Sequence, residues 1–318
     1  MPDSSTGRYT DAADYRASQS DIFATMSPTH PGAFDVRVAR VTLRHLHLFQ
    51  ARECQPRIAY VTLSPERVAV SFPADHEPPL IWRGTPLRQG EIMLHTVGER
   101  LHQRTEGTSF WGLIALPAAF LDDYYKIETG CSVVLPEFSQ ILRPASPDRK
   151  DLLRVHGAAA RLAMTKPRIL DHPEVIRALE HELAGLLVRC LANADIRPEA
   201  PSARKAAQIM TGFEDILAAT LNRGLTSAEI TKALGVNGRT FRKICQSFLG
   251  IGAHRYIRLR QLQLARSAIL HEDPRTARIA DLARHAGFTD PSRFAAEYRA
   301  AFGETPTATL RRTGGALT

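Results

Sequence analysis

IADLARHAGFTDPSRFAAEYRAAFGETP, Ile279 to Pro306, reads as a short helix, a glycine-bearing turn and a second helix. Ile279, Leu282 and Ala283 have the spacing of one inward face, and Gly287 suits the left-handed residue that ends a helix. Asp290 then stands where a side-chain oxygen can cap the next helix, and Pro291 suits its first position. Phe294, Tyr298 and Phe302 fall on the inner face of that helix, which ends at Gly303. Ser292, Arg293, Ala296 and Arg299 fall on the outer face. A similar plan lies upstream in LTSAEITKALGVNGRTFRKICQSFLG, Leu225 to Gly250. Thr226 and Glu229 form a capping box, Ile230 and Leu234 point inward, and Gly235 allows the turn. The helix from Gly238 to Leu249 buries Phe241, Ile244 and Phe248 and presents Arg239, Arg242 and Lys243 together on its other side. The interval from turn glycine to first buried phenylalanine differs by one residue between the copies (Gly235 to Phe241, Gly287 to Phe294). The chain therefore carries two helix-turn-helix units that are alike in plan without being exact duplicates.

This plan suits groove recognition. Arg and Lys on one helix face can pair with guanine O6 and N7, while neighbouring cations hold phosphates. Between the units, HRYIRLRQLQLARSAIL (His254–Leu270) has helical spacing at Tyr256, Leu259, Leu262 and Ile269. As one helix it spans roughly 25 Å, against ~34 Å between successive major-groove entries on one face of DNA. The charge agrees. Residues 201–318 hold 18 Lys and Arg against 9 Asp and Glu, whereas residues 1–200 hold 23 against 24. The whole positive excess, +8 for the chain, thus travels with the paired units and points to a polyanionic partner for them alone.

The remainder reads as a separate, differently built region. Residues 1–33 are polar and are expected to form a flexible arm without a basic, apolar leader pattern. From Phe34 to Pro147, FDVRVARVTLRHLHLF, RIAYVTLSPERVAVSF, PLIWRGTPL, EIMLHTV and SFWGLIAL are short β-rich runs between turns, which predicts a small antiparallel barrel or sandwich. Residues 148–193 predict two helices. In the second, Val175, Leu179, Leu183, Leu186 and Leu187 form a stripe that can pack on its own domain or serve as a dimer face. ADIRPEAPSA, 194–203, reads as a linker, and everything beyond it is helical. The expected class is α+β. No apolar run approaches the ~20 residues of a membrane span. Cys54, Cys131, Cys190 and Cys245 are scattered without a CxxC, as expected of reduced thiols in a cytoplasmic protein.

Residues 204–312 resemble the DNA-binding domain of the AraC/XylS transcription regulators. GVNGRTFRKICQSFLG, YIRLRQLQLARSAIL and above all the GF-x-D-x-S-x-F…FG-x-TP signature carry the resemblance. It implies two helix-turn-helix units joined by a long helix within 204–314. It also implies base contacts from Arg239, Arg242 and Lys243, with Ser292, Arg293 and Ala296 at the matching face of the second unit and Arg299 on phosphate. Tyr298 replaces the usual Phe. Ala295 and Ala296 stand where relatives often carry larger side chains, so the second unit is expected to grip backbone more than it reads bases. The implied partners are promoter DNA, RNA polymerase, a second copy of the chain and a small-molecule effector, and the implied role is an activator or other regulator without enzymatic activity.

The same resemblance implies that residues 34–147 form a cupin-like β domain that binds an effector, dimerises or does both. Trp82 and Trp111 can wall a pocket, with Arg83, His95 and His102 as polar anchors, or can both be core. His45-x-His47 is reminiscent of metal cupins, but Glu53 and His102 are off the spacing such a site needs, so neither metal nor cofactor is expected. A DNA-repair alkyl acceptor also employs this helix arrangement, but none of the four cysteines stands in a setting that would activate it.

Overall fold

The structure is a computed structural model that describes residues 3–17, 22–74, 79–220 and 225–314. In chain order the first part comprises β1 (Asp3–Tyr9), α1 (Ala12–Ala17), β2 (Ile22–Pro28), β3 (Val36–Thr42), β4 (His47–Glu53), β5 (Arg57–Leu63) and β6 (Arg67–Pro73). Then come β7 (Ile81–Trp82), β8 (Thr85–Pro86), β9 (Ile92–His95), β10 (Arg100–Thr105), β11 (Ser109–Pro117), α2 (Ala118–Thr129), β12 (Gln140–Arg143), α3 (Ser146–Thr165), α4 (Pro173–Ala192) and β13 (Asp195–Arg197). The rest is helical: α5 (Pro201–Thr220), α6 (Ser227–Ala233), α7 (Gly238–Leu249), α8 (Ala253–His271), α9 (Ile279–His285), α10 (Pro291–Phe302) and α11 (Pro306–Gly314). The class is α+β.

Among the described residues the strands form two antiparallel sheets. One runs β1-β3-β4-β11-β6-β9-β12-β13 and the other β2-β5-β10-β7-β8. Their side chains explain the apolar runs in the sequence. On β11, Leu113 and Ala115 face the second sheet with Trp82, Met93 and Leu101, whereas Ile114 and Leu116 join a second core beneath α3 and α4. A strand buried on both faces has no polar alternation, and SFWGLIALP shows none.

Two sequence expectations change here. The arm is not loose throughout: Asp3–Tyr9 pairs with β3, Ile22–Pro28 pairs with β5, and Tyr15 is fully buried with its hydroxyl donating to Glu53 at 3.2 Å. Its polar composition hid this because edge pairing satisfies backbone groups and asks little of the side chains. The linker likewise contains a strand, Asp195–Arg197, paired with β12.

The dimer-face expectation for α4 is also corrected. Leu183, Leu186 and Leu187 are at most 2% exposed and lie in the core against the first sheet and α3, so they are unavailable to a partner. Val175 and Leu179 are half-buried against the same core. The stripe packs on its own domain because the two-sided first sheet needs a cover on its outer face.

Candidate nucleic-acid interface

The local signals for the first unit have the geometry their residue types demand. Thr226 accepts from the Glu229 amide at 3.3 Å while the Glu229 carboxylate accepts from the Thr226 amide at 2.8 Å. Gly235 takes φ +63°, where a side chain would be strained. Asn237 then caps α7 by accepting from the Thr240 amide at 2.8 Å. Phe241, Ile244, Cys245 and Phe248 of α7 join Ile209, Met210, Phe213 and Leu217 of α5 in one core. The opposite face is left with Arg239, Arg242 and Lys243, all exposed and, among the described residues, without an ion pair. Sequence inspection passed over Gln246, which is exposed one turn further along the same face.

In the second unit Asp290 accepts from the Ser292 amide at 2.9 Å and the Arg293 amide at 3.1 Å, with Pro291 at the first helical position. Phe294 and Tyr298 are buried; Ser292, Arg293, Ala296 and Arg299 are exposed. Unlike the cations of α7, Arg293 is partly neutralised, since its Nε donates to Glu297 at 2.8 Å. Glu297 also holds Arg258 of α8, whose guanidinium lies 3.8 Å from the centroid of Phe288. α8 has 19 residues, about 28 Å of axis, and links the two units as one uninterrupted helix.

The DNA-facing region is docked on the β domain. Ile58 of β5 sits within the core of α5 and α7. Ser247 donates to the Gly84 carbonyl at 3.1 Å, and Arg255 donates to that of Thr29 at 3.3 Å. Arg266 pairs with Asp11 at 2.6 Å and Glu304 at 2.9 Å. At the centre lies Glu214 of α5. It accepts from His102 Nε2 at 2.8 Å, the Tyr256 hydroxyl at 2.5 Å and Arg260 Nη1 at 2.7 Å. Burial alone would raise the pKa of Glu214, but the His102 hydrogen bond and the Arg260 charge hold it at about 2. This junction uses the C-terminal end of α7 and leaves Arg239, Arg242 and Lys243 exposed nearer its N-terminal end. One signal for it was present in the sequence: Glu214 falls among the apolar residues of α5, where an ionised side chain needs a partner.

Of the residues expected around an effector, two line a cavity, His95 and Trp111 pack behind one of these, Trp82, with ring centroids 5.0 and 6.5 Å from its own, and His102 lies elsewhere. Trp82 and Arg83 line a cavity of about 430 Å³ at the junction of β7, β9, β12, β13 and the start of α5. His102 belongs instead to the domain junction. His95 is buried against Ser71 at 2.7 Å, and Trp111 is 4% exposed in the core beside Phe49. These three are corrected from pocket to interior because neighbouring side chains cover them: Ser71 and Trp82 for His95, Tyr60 and Glu214 for His102, Phe49 and Trp82 for Trp111. Of the histidines considered for a metal, His45 stacks on Phe120 and bonds Glu180, while His47 and His102 lie on different sheets. Burial pushes the Cys190 and Cys245 thiols up to about 12, far from thiolate chemistry at neutral pH.

The chain is similar to several known proteins. Residues 230–312 match a family model described as a helix-turn-helix domain. A probable thc operon regulatory protein of Rhodococcus erythropolis is 32% identical over 165 residues, 51% of this chain and 49% of that protein. The chain thus aligns over about half the length of this curated relative. Among solved structures, the AraC-like transcriptional activator CuxR is 15% identical, covering 89% of this chain and 99% of that one, with a TM-score of 0.41. A probable AraC family transcriptional regulator from Rhodopseudomonas palustris is 27% identical, covering 33% and 97% with a TM-score of 0.30. With its capped helices, turn glycines and matched signature, the C-terminal region of this chain belongs to the AraC-type helix-turn-helix domains.

Proposed function

We propose that the chain is a sequence-specific DNA-binding transcription regulator whose activity is set by a small molecule held in its β domain. The observation that carries the DNA reading is the exposed, unpaired face of Arg239, Arg242 and Lys243 on a helix whose other side is fixed in a core. α7 reads bases in the major groove. α10 contributes chiefly backbone grip through Arg299, because Arg293 is engaged by Glu297 and Ala296 offers only a methyl group. The 430 Å³ cavity, within the usual range for ligand pockets, is the seat of control. In this reading the chain acts in the cytoplasm as a homodimer on promoter DNA, contacts RNA polymerase and catalyses no reaction.

The test is selection of duplexes from a random library by the full chain, followed by salt titration. A selected duplex should bind with an affinity that falls steeply with salt. Arg242→Ala should cost about 1–3 kcal/mol on that duplex and relax the sequence preference at one position. Arg299→Ala should weaken all duplexes alike and lower the salt slope by about 1. Failure to enrich any sequence, or binding indifferent to salt, overturns the reading.

A further inference from the structure

Resting on the reading that the cavity holds a controlling ligand, we propose that this ligand is a small amphipathic carboxylate, and that the linker's own Glu199 occupies its anionic subsite until displaced.

The wall of the cavity combines two chemistries. Trp82, Met93, Phe138 and Ile141 are among its apolar residues, enough for an aromatic ring or short alkyl chain. Its charged residues are Arg83, Arg197 and Arg204 against a single carboxylate, Glu199, among the described residues. Arg197 is met by Glu91, outside the cavity, at 2.9 Å. Arg83 and Arg204 both turn to Glu199, at 3.3 Å in each case. Arg204 also lies over the Phe138 ring at 5.1 Å, which places a cation beside an apolar wall.

Arg83 is built into position. It is 8% exposed and stands at φ +49°, a strained backbone conformation for a residue other than glycine. Glu99 at 3.4 Å and the Ser139 carbonyl at 3.4 Å hold one of its terminal nitrogens, Nη1. The other, Nη2, is left to Glu199. Strain and burial together fix a guanidinium fork, the group best suited to a carboxylate.

Glu199 is held far less firmly. Its side chain is 25% exposed, and it lies in Pro198–Ala200, which has no regular structure, between β13 and α5. A ligand carboxylate taking its place keeps the charge balance of the site unchanged and frees the segment that joins the two domains. Displacement therefore couples occupancy of the cavity to the connection between β domain and DNA-binding helices.

The experiment uses the full chain and its Glu199→Gln variant, with benzoate, phenylacetate and octanoate as probes and the corresponding amides as neutral isosteres. Binding is followed by tryptophan fluorescence and calorimetry. At least one carboxylate should bind, about tenfold or more tighter than its amide, since a charged hydrogen bond is replaced by a neutral one. Glu199→Gln should tighten that carboxylate by about fivefold or more, because a tethered competitor has been removed. Equal binding of acid and amide leaves a controlling ligand in place but overturns its carboxylate character. Unchanged affinity in Glu199→Gln overturns the placeholder role of Glu199. No binding of any carboxylate to either protein overturns the proposal outright. DNA binding by the same preparations is measured in parallel, so loss of the regulator reading is seen separately from loss of this one.

Discussion

His156 illustrates how one side chain can set a condition for the whole β domain. It is 1% exposed, edge-on to Phe72 with ring centroids 5.0 Å apart, and its Nε2 donates to the Leu113 carbonyl at 3.4 Å. Burial lowers its pKa from 6.5 to about 4, only partly opposed by backbone hydrogen bonds. Between those values the unfolded chain binds a proton that the folded chain does not. The stability present above about pH 6.5 is therefore lost as pH falls through about 4, a contribution on the order of 3 kcal/mol. His156→Gln should flatten the pH dependence of the melting temperature between pH 7 and pH 4; a variant that melts with the wild-type profile rules this out. Glu214 behaves differently although it too is buried. Its pKa is depressed to about 2, so its contribution is in place above about 4.5 and lost only as pH falls through 2.

At the scale of elements, both helix-turn-helix units depend on local chemistry that can be removed one atom at a time. Asp290→Ala deprives α10 of the acceptor for two free amides and should cost about 1 kcal/mol in a denaturant melt. An unchanged midpoint would mean that Pro291 alone holds the helix start. β11 carries a different constraint. A Cβ on Gly112 would lie 2.5 Å from the Phe72 ring and 2.8 Å from His156, so Gly112→Ala should destabilise the domain by about 1–3 kcal/mol. Its melting temperature is the measurement, and a rise would show that this junction of strand and α3 has room to spare.

At the scale of the whole molecule, the question is what holds the DNA-binding helices on the β domain. Gly84, at φ +75°, lets the β7–β8 turn meet α7. A Cβ there would stand 2.6 Å from Ser247 Oγ and 2.8 Å from the Phe248 ring. Gly84→Ala should wedge the junction open and speed protease cleavage within 194–200, while α10 and its cap stay intact. Cleavage at the wild-type rate would mean that Ile58, Glu214 and the Asp11–Arg266 pair suffice without it. Docking uses the C-terminal end of α7, at Ser247 and Phe248, whereas Arg239, Arg242 and Lys243 stand exposed nearer its N-terminal end.

The sequence by itself determined the two helix-turn-helix units, their caps and turn glycines, the outward cations of α7 and α10, and the β-rich character of residues 34–147. All of these rest on interactions between residues close in the chain, or on a periodicity that one segment displays alone. The tertiary structure alone decided that Asp3–Tyr9 and Asp195–Arg197 are edge strands, because such pairing satisfies backbone groups and leaves no side-chain pattern. It decided that the α4 leucines cover a sheet, since an apolar stripe does not say what it covers. It also put Trp82 and Arg83 on a cavity wall, packed His95 and Trp111 behind Trp82, and sent His102 to the domain junction. Whether an inward side chain faces a cavity, a core or a second domain depends on partners more than a hundred residues away, as Glu214 is for His102.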